Sequence, residues 1–171
     1  DKKDDYNFIE CHTREVLNIV KDIVIKALDK GYNEETIQVL APLYKTSVGI
    51  DNLNKVLKEV MNPASPKKNE YQSGDTLYRE GDKILQLVNM PDENVYNGDI
   101  GLIKEIIPAS ISSSGKNEIY VDYDGNIVKY LPKDLNKIKH GFIISIHKSQ
   151  GSEFDIIILP ISKSYKRMLY K

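Results

Sequence analysis

Paired cysteines, membrane-length apolar runs and an excess of one charge are all missing from this chain, and each absence narrows its chemistry. The lone Cys11 excludes an internal disulfide, and one cysteine outside any cluster argues against a structural zinc site. Both points fit a reducing compartment, so the cytoplasm is the expected location. No apolar run is long enough to span a bilayer and no signal-peptide pattern is present, so no membrane partner is expected. With 24 basic against 25 acidic residues, the formal net charge of −1 carries no global signature of a nucleic-acid binder. A local basic groove nevertheless suffices for a single strand. The stretch from Lys129 to Lys148 carries Lys129, Lys133, Lys137, Lys139, His140, His147 and Lys148 against Asp134 alone. On charge alone it reads as a solvated face. Also missing is any G-x-x-x-x-G-K-[ST] loop, so nothing in these 171 residues can cradle ATP phosphates in the Walker manner.

What is present has the layout of a layered protein. A 40% hydrophobic fraction over this length suffices for one substantial core or two small ones. Asn7 to Glu10 reads as a short strand. Val16, Ile19, Val20, Ile23, Val24, Ala27 and Leu28 then repeat at helical spacing, with Thr13 as N-cap and Gly31 as the left-handed stop. Ile37 to Ala41 is a buried strand ending at Pro42. A second helix buries Ile50, Leu53, Leu57, Val60 and Met61 and closes at Asn62-Pro63. This alternation predicts an α/β unit with a parallel sheet.

The pattern changes after Asn62. Residues Asn62 to Glu70 read as a linker, and strand-like runs follow at Lys83–Asn89, Ile100–Ile107, Glu118–Tyr123 and Asn126–Leu131. Asp124-Gly125 is a hairpin signal, because a type I′ turn needs positive φ at both central residues. The serine-rich Pro108 to Lys116 reads as a disordered loop. Short strands without intervening helices predict a small β-barrel. Buried strands resume at Phe142–Ile146 and Phe154–Leu159. The expected organisation is an α/β domain over 1–64 and 141–171, interrupted by an all-β insert over 65–140.

Between those last two strands lies Ser145-Ile146-His147-Lys148-Ser149-Gln150-Gly151-Ser152-Glu153. The carboxyl-terminal edge of parallel strands is where ligands bind in α/β sheets. There His147 and Lys148 could donate to phosphate oxygens, Gly151 admits close approach to the backbone, and Glu153 could accept from a ribose hydroxyl or orient a water. An ordinary polar turn is the competing reading, and residue chemistry alone slightly favours it. Asp99, Asp122 and Asp124 read as turn-forming aspartates rather than metal ligands.

The segment resembles the motif T-x-H-x-x-Q-G-S-E of superfamily 1 helicases of the RecD/TraA type, through His147, Gln150, Gly151, Ser152 and Glu153, with Ser145 in place of threonine. Weaker likenesses run in the same order. Ile37 to Pro42 precedes Gly49, Leu53 and Asn54 of a G-x-x-x-L-N helix, and Gly81 to Gln86 with Asn89 and then Asn97 to Gly101 resemble the opening of an inserted SH3-like barrel. Gly81-Asp82 with Gln86 also imitates a γ-phosphate-sensing motif, but with spacing one residue too long, and turn formation with strand packing explains it better.

The resemblance implies a RecA-like second motor domain, incomplete, interrupted by an SH3-like barrel. It implies DNA contacts from Ser145 and His147, with Lys148 as a further phosphate contact. It places Gly151 and Glu153 at the nucleotide, with Gln150 coupling the two sites. ATP with Mg2+ would serve the complete enzyme, and single-stranded DNA, a first motor domain and recombination or repair proteins are the implied partners. Three departures matter: the Walker loop is absent, the arginine-bearing motif that usually follows the second motor strand is missing and Arg167 is not assigned its role, and His140-Gly141 replaces a small-aromatic pair, which predicts a looser joint between barrel and motor domain. The chain thus reads as a fragment of a helicase. The rivals are a non-catalytic nucleic-acid or protein binding module and a nucleotide-binding regulatory protein.

Overall fold

A computed structural model describes residues 9, 15–41, 47–149 and 151–160. In chain order the elements are α1 (Val16–Asp29), β1 (Ile37–Ala41), α2 (Ser47–Met61), β2 (Glu70–Ser73), β3 (Thr76–Arg79), β4 (Lys83–Gln86), β5 (Ile100–Ile107), β6 (Glu118–Tyr123), β7 (Asn126–Tyr130), β8 (Ile138–His140), β9 (Ile143–Ser145) and β10 (Ile156–Ile158). Short 3₁₀ turns sit at Pro91–Glu93, Pro132–Lys137 and Ile146–Ser149.

The parallel sheet has the order β10-β1-β9, with β1 central and all five of its residues buried. Helix α1 packs Val20, Val24 and Ala27 onto it, and α2 adds Leu57 and Met61. Gly31, at φ +94°, ends α1 as expected: its N–H reaches Leu28 O at 3.0 Å and that of Tyr32 reaches Ala27 O at 3.1 Å. Glu15 rather than Thr13 holds the N-cap position of α1. Thr13 and the expected strand at Asn7–Glu10 lie outside the described residues, apart from Ile9, which is exposed and in no strand. On the free side of β9 the buried Asn54 imitates a neighbouring strand. Its Oδ1 accepts the Ile143 N–H at 3.0 Å and its Nδ2 donates to Ile143 O at 3.2 Å. The second expected buried strand is shorter and half-exposed: β10 has β1 on one side only, and Ile157 and Leu159 are 55% and 40% exposed.

Between Glu70 and His140 every strand pairing is antiparallel. A five-stranded sheet of order β7-β6-β5-β4-β8 encloses Ile84, Ile103, Ile106, Val121, Val128 and Tyr130 in its own core. Asp124 and Gly125 adopt φ +52° and +91°, the turn expected between β6 and β7. One expectation fails here and one element is unforeseen. The linker of 62–69 holds no helix or strand, as expected, but it leads into an unforeseen hairpin, β2–β3, whose Tyr71 and Tyr78 pack on the barrel core. The serine-rich loop is hydrogen-bonded rather than disordered: Ser112 Oγ donates to Lys116 O at 2.6 Å and Ala109 N–H to Asn117 Oδ1 at 3.1 Å.

The joint between the two bodies is tight, contrary to the looser joint read from His140-Gly141. Asp82, fully buried, accepts Lys58 Nζ from α2 at 2.8 Å, His140 Nε2 at 2.7 Å, Asn62 Nδ2 at 2.8 Å and the Arg79 N–H at 2.8 Å. His140 stacks between Tyr78 and Phe142, with ring centroids 5.4 and 6.0 Å away. Gly141 donates to Lys83 O at 2.8 Å and accepts Gln38 Nε2 at 3.1 Å. A Cβ there would lie 3.2 Å from Leu85 N, so the glycine permits close backbone approach rather than slack.

Candidate nucleic-acid interface

Strand β9 ends at Ser145, directly beside Ala41 at the carboxyl end of β1. The chain then turns through Ile146–Ser149, where Ser149 Oγ donates to Ile146 O at 2.7 Å and the Ser152 N–H reaches Ser149 O at 3.2 Å. Gly151, at φ +83°, reverses its direction, a conformation strained for residues with a side chain. It next runs the length of the sheet to enter β10 beside the amino end of β1, where the Ile156 N–H bonds Thr36 O at 3.1 Å. The polar segment therefore begins at the carboxyl edge of the sheet and ends at the opposite one.

The barrel supplies a second wall. A cleft of about 450 Å³ separates Asn97, Gly98 and Asp99 from His147, Lys148, Gly151 and Ser152. Across it Lys148 Nζ donates to Asn97 Oδ1. The Tyr96–Asp99 turn is fixed from within. The Tyr96 N–H bonds Asp99 Oδ2 at 2.8 Å, the Asp99 N–H bonds Tyr96 O at 3.0 Å, and the Gly98 N–H bonds Gln86 O at 2.9 Å. Gly98 sits at φ +100°, the left-handed position of a type II turn. Gln86 is itself buried, its Oε1 accepting the hydroxyls of Tyr130 at 2.6 Å and Tyr123 at 3.3 Å. Burial pushes the Tyr130 hydroxyl up to about 12 and that of Tyr123 higher still, so both remain neutral donors.

Residues 53–123 match the SH3 domain of ATP-dependent RecD-like DNA helicases, and residues 140–171 match the UvrD-like helicase C-terminal domain. The chain belongs to the RecD-like superfamily 1 DNA helicases. It is 27% identical over 133 residues to the ATP-dependent RecD2 DNA helicase of Deinococcus radiodurans, covering 78% of this chain and 17% of that protein. Against the RecBCD enzyme subunit RecD of Buchnera aphidicola the identity is 31% over 150 residues, covering 86% of the chain and 23% of the subunit. The chain thus spans about a fifth of the length of these relatives. Among solved structures, a Pif1 helicase from Bacteroides in complex with ADP-AlF3 and ssDNA is 16% identical at a TM-score of 0.48, covering 92% of this chain and 45% of that one. That likeness is too loose to transfer residues.

Within this RecD-like chain the cleft gathers His147, Lys148 and Gly151, but not Ser145 or Glu153. Ser145 is half-buried in β9, and Glu153 is exposed on the stretch returning to β10. Gln150 lies outside the described residues. The basic run of the sequence is dispersed. Lys137 pairs with Asp134 at 2.9 Å, Lys129 lies 3.8 Å from Glu118, and His140 turns inward to Asp82. Gly81-Asp82 and Gln86 form the joint and the turn support, which accounts for their imitation of a phosphate sensor. Asp99 and Asp122 accept the N–H groups of Tyr96 and Gly125. Sequence reasoning missed Asn97, Gly98 and Asp99 as a cleft wall. The Asn-Gly pair was a turn signal, but nothing local told where the turn would face.

Proposed function

We propose that this chain forms most of the second motor domain of an ATP-dependent 5′ to 3′ DNA helicase, together with its inserted barrel. The cleft at the carboxyl edge of the parallel sheet carries this reading, because it places the cationic motif loop opposite a rigid barrel turn. Lys148 and His147 would hold phosphates of single-stranded DNA there, with the Ser145 hydroxyl beneath them. Exchange of Asn97 for a phosphate oxygen would convert the neutral partner of Lys148 into a charged one, which strengthens the hydrogen bond.

Gly151 and Glu153 would face the nucleotide, with Gln150 between the two sites. A Cβ at Gly151 would meet nothing within 4 Å, and Glu153 is exposed, so a ligand has room to approach both. They offer one side of a nucleotide site. Phosphate-cradling groups and the Mg2+ site would come from a first motor domain, because the 171 residues contain no Walker loop. ATP supplies the free energy when bound between the domains. This chain's residues orient the nucleotide and grip the strand, and on its own it is expected not to hydrolyse ATP.

Single-stranded DNA and the first motor domain are the proposed partners, with recombination or repair proteins beyond them. A cytoplasmic location fits these partners, and no described helix is long and apolar enough to cross a membrane. A second reading, a binding module without turnover, draws on the same cleft, which this chain builds alone. The deciding experiment is single-stranded-DNA-stimulated ATP turnover of the complete polypeptide, beside His147→Ala and Glu153→Ala. The motor reading expects stimulation lost in the first variant and nucleotide use impaired in the second. Salt-sensitive oligonucleotide binding with no stimulated turnover in the folded parent would leave the binding module.

A further inference from the structure

Strand β4 belongs to both bodies at once. Its backbone pairs with β5 and β8 of the barrel, yet all four of its residues are buried, so both faces are covered. The two-residue period of a strand sorts them. Ile84 and Gln86 face the barrel core, against Tyr123 and Tyr130 in the case of Gln86. Leu85 packs with Leu40 of β1 and Ile144 of β9. Lys83 reaches the same sheet lower down, where its Nζ donates to Ile37 O at 2.9 Å and Glu34 O at 3.0 Å. The same ammonium lies 5.4 Å from the centroid of the Phe154 ring, the residue immediately after Glu153.

Lys83 is an unusual core residue. It is 1% exposed and touches carbonyls and a ring face. Burying an ammonium is costly without directed partners, and an aliphatic side chain would fill the space at lower cost. What the ammonium adds is direction: two hydrogen bonds and a cation–π contact tie the start of β4 to the approach to β1 and to the segment bearing Glu153. At its other end, Gln86 exchanges main-chain bonds with Gly98 and Asp99, at 2.9 and 2.8 Å, in the wall of the strand cleft.

We propose that β4 couples the strand cleft to the Glu153 segment, with Lys83 as the positioning residue that transmits barrel position to Glu153 through Phe154. A strand seated against Asn97 and Lys148 would press the Tyr96–Asp99 turn, and Gln86 and Lys83 would carry that displacement along one short, fully packed strand. The inference rests on the nucleotide-facing role proposed for Glu153. It adds a route by which DNA binding reaches that residue through the barrel, beside the direct route along the motif loop.

The test compares Lys83→Met, Phe154→Leu and the double variant in the complete polypeptide, with Glu153→Gln alongside. Each single variant should lower the ratio of DNA-stimulated to basal turnover by about fivefold or more, while affinity for oligo-dT stays within about twofold. The double variant should lose no more than Lys83→Met alone, since that substitution already removes the cation–π contact that Phe154→Leu deletes. In this chain alone, with fluorinated phenylalanine at its 3 phenylalanine positions, Lys83→Met should shift the resonance that Phe154→Leu deletes. In the unsubstituted chain that resonance should also move with pH around 8. Burial lowers Lys83 to about 8 even though Glu34 and Glu35 act to raise it, and Lys83→Met should abolish the movement. An unmoved resonance, or full stimulation in a folded Lys83→Met, would overturn the proposal while Glu153→Gln still impaired turnover. Unimpaired turnover in Glu153→Gln would instead sink the nucleotide reading, and this proposal with it.

Discussion

The joint and the motif loop use similar side chains to opposite ends. At the joint, Asp82, Lys58, His140 and Arg79 are turned inward, and their polar atoms meet within the protein. Along the motif loop, His147, Gly151, Ser152 and Glu153 are exposed, and Lys148 reaches across a cleft to a neutral amide. A buried polar network fixes geometry, because any member left unpaired in low dielectric is costly. An exposed set at a strand edge keeps its hydrogen-bonding capacity for a ligand. The same histidine chemistry is therefore structural at His140 and available for binding at His147, and only the fold separates them.

The comparison breaks first at Asp82. Asp82→Ala removes the acceptor shared by Lys58, His140, Asn62 and the Arg79 N–H, and should cost about 3–5 kcal/mol, read by urea unfolding. Its pH signature follows from its environment. Burial acts to raise the carboxyl, but the hydrogen bond and charge of His140, and then those of Lys58, outweigh it and hold Asp82 below its ordinary 3.8. Its contribution is therefore present above 3.8 and lost as pH falls through the lowered value. Acid unfolding should lose that component in Asp82→Ala.

Lys83 supplies a change of the same sign at the alkaline end. With its folded value lowered to about 8 from 10.5, the unfolded chain binds the extra proton between those limits. Stability from this group therefore rises with pH across that window, by about 3 kcal/mol at its upper end. The stability difference between the parent and Lys83→Met, followed from pH 7 to 10.5, isolates it. Asn54→Ala comes next. It leaves the Ile143 N–H and C=O without their partner, a loss of about 2 kcal/mol with faster hydrogen exchange at the Ile143 amide.

Periodicity made the scaffold legible. The three-four spacing of Val16 to Leu28 and the aliphatic run Ile37 to Ala41 each specify an element, and Asp124-Gly125 specifies a turn. The β2–β3 hairpin escaped because Glu70-Tyr71-Gln72-Ser73 and Thr76-Leu77-Tyr78-Arg79 each hold little apolar pattern, and their turn carries Gly74-Asp75 rather than Asp-Gly. The joint escaped for another reason. Lys58, Asp82 and His140 lie far apart in the chain, and only the docking of β8 and α2 against β3–β4 brings them together. Of the candidate site, the residue types could be read locally. The return of the segment to the amino end of β1, which parts Glu153 from the cleft, depends on β10 pairing with Ile37 and could not.

The smallest expected effect sharpens the contrast most. His147→Ala and Glu153→Ala should each shift stability within about 0.5 kcal/mol, because an exposed side chain truncated on a loop loses little packing. Their functional consequences should part where the geometry parts them. His147 lines the cleft, so its loss should weaken binding of a labelled oligo-dT to this chain. Glu153 lies outside that lining and carries the wrong charge for a phosphate, so its loss should leave oligonucleotide affinity level or slightly raise it. A matched loss of affinity in both would mean that the strand follows the loop to the amino end of the sheet rather than turning out between the loop and the barrel. The Tyr96–Asp99 turn would then be a structural neighbour of the cleft, and Asn97→Ala would bind as the parent does.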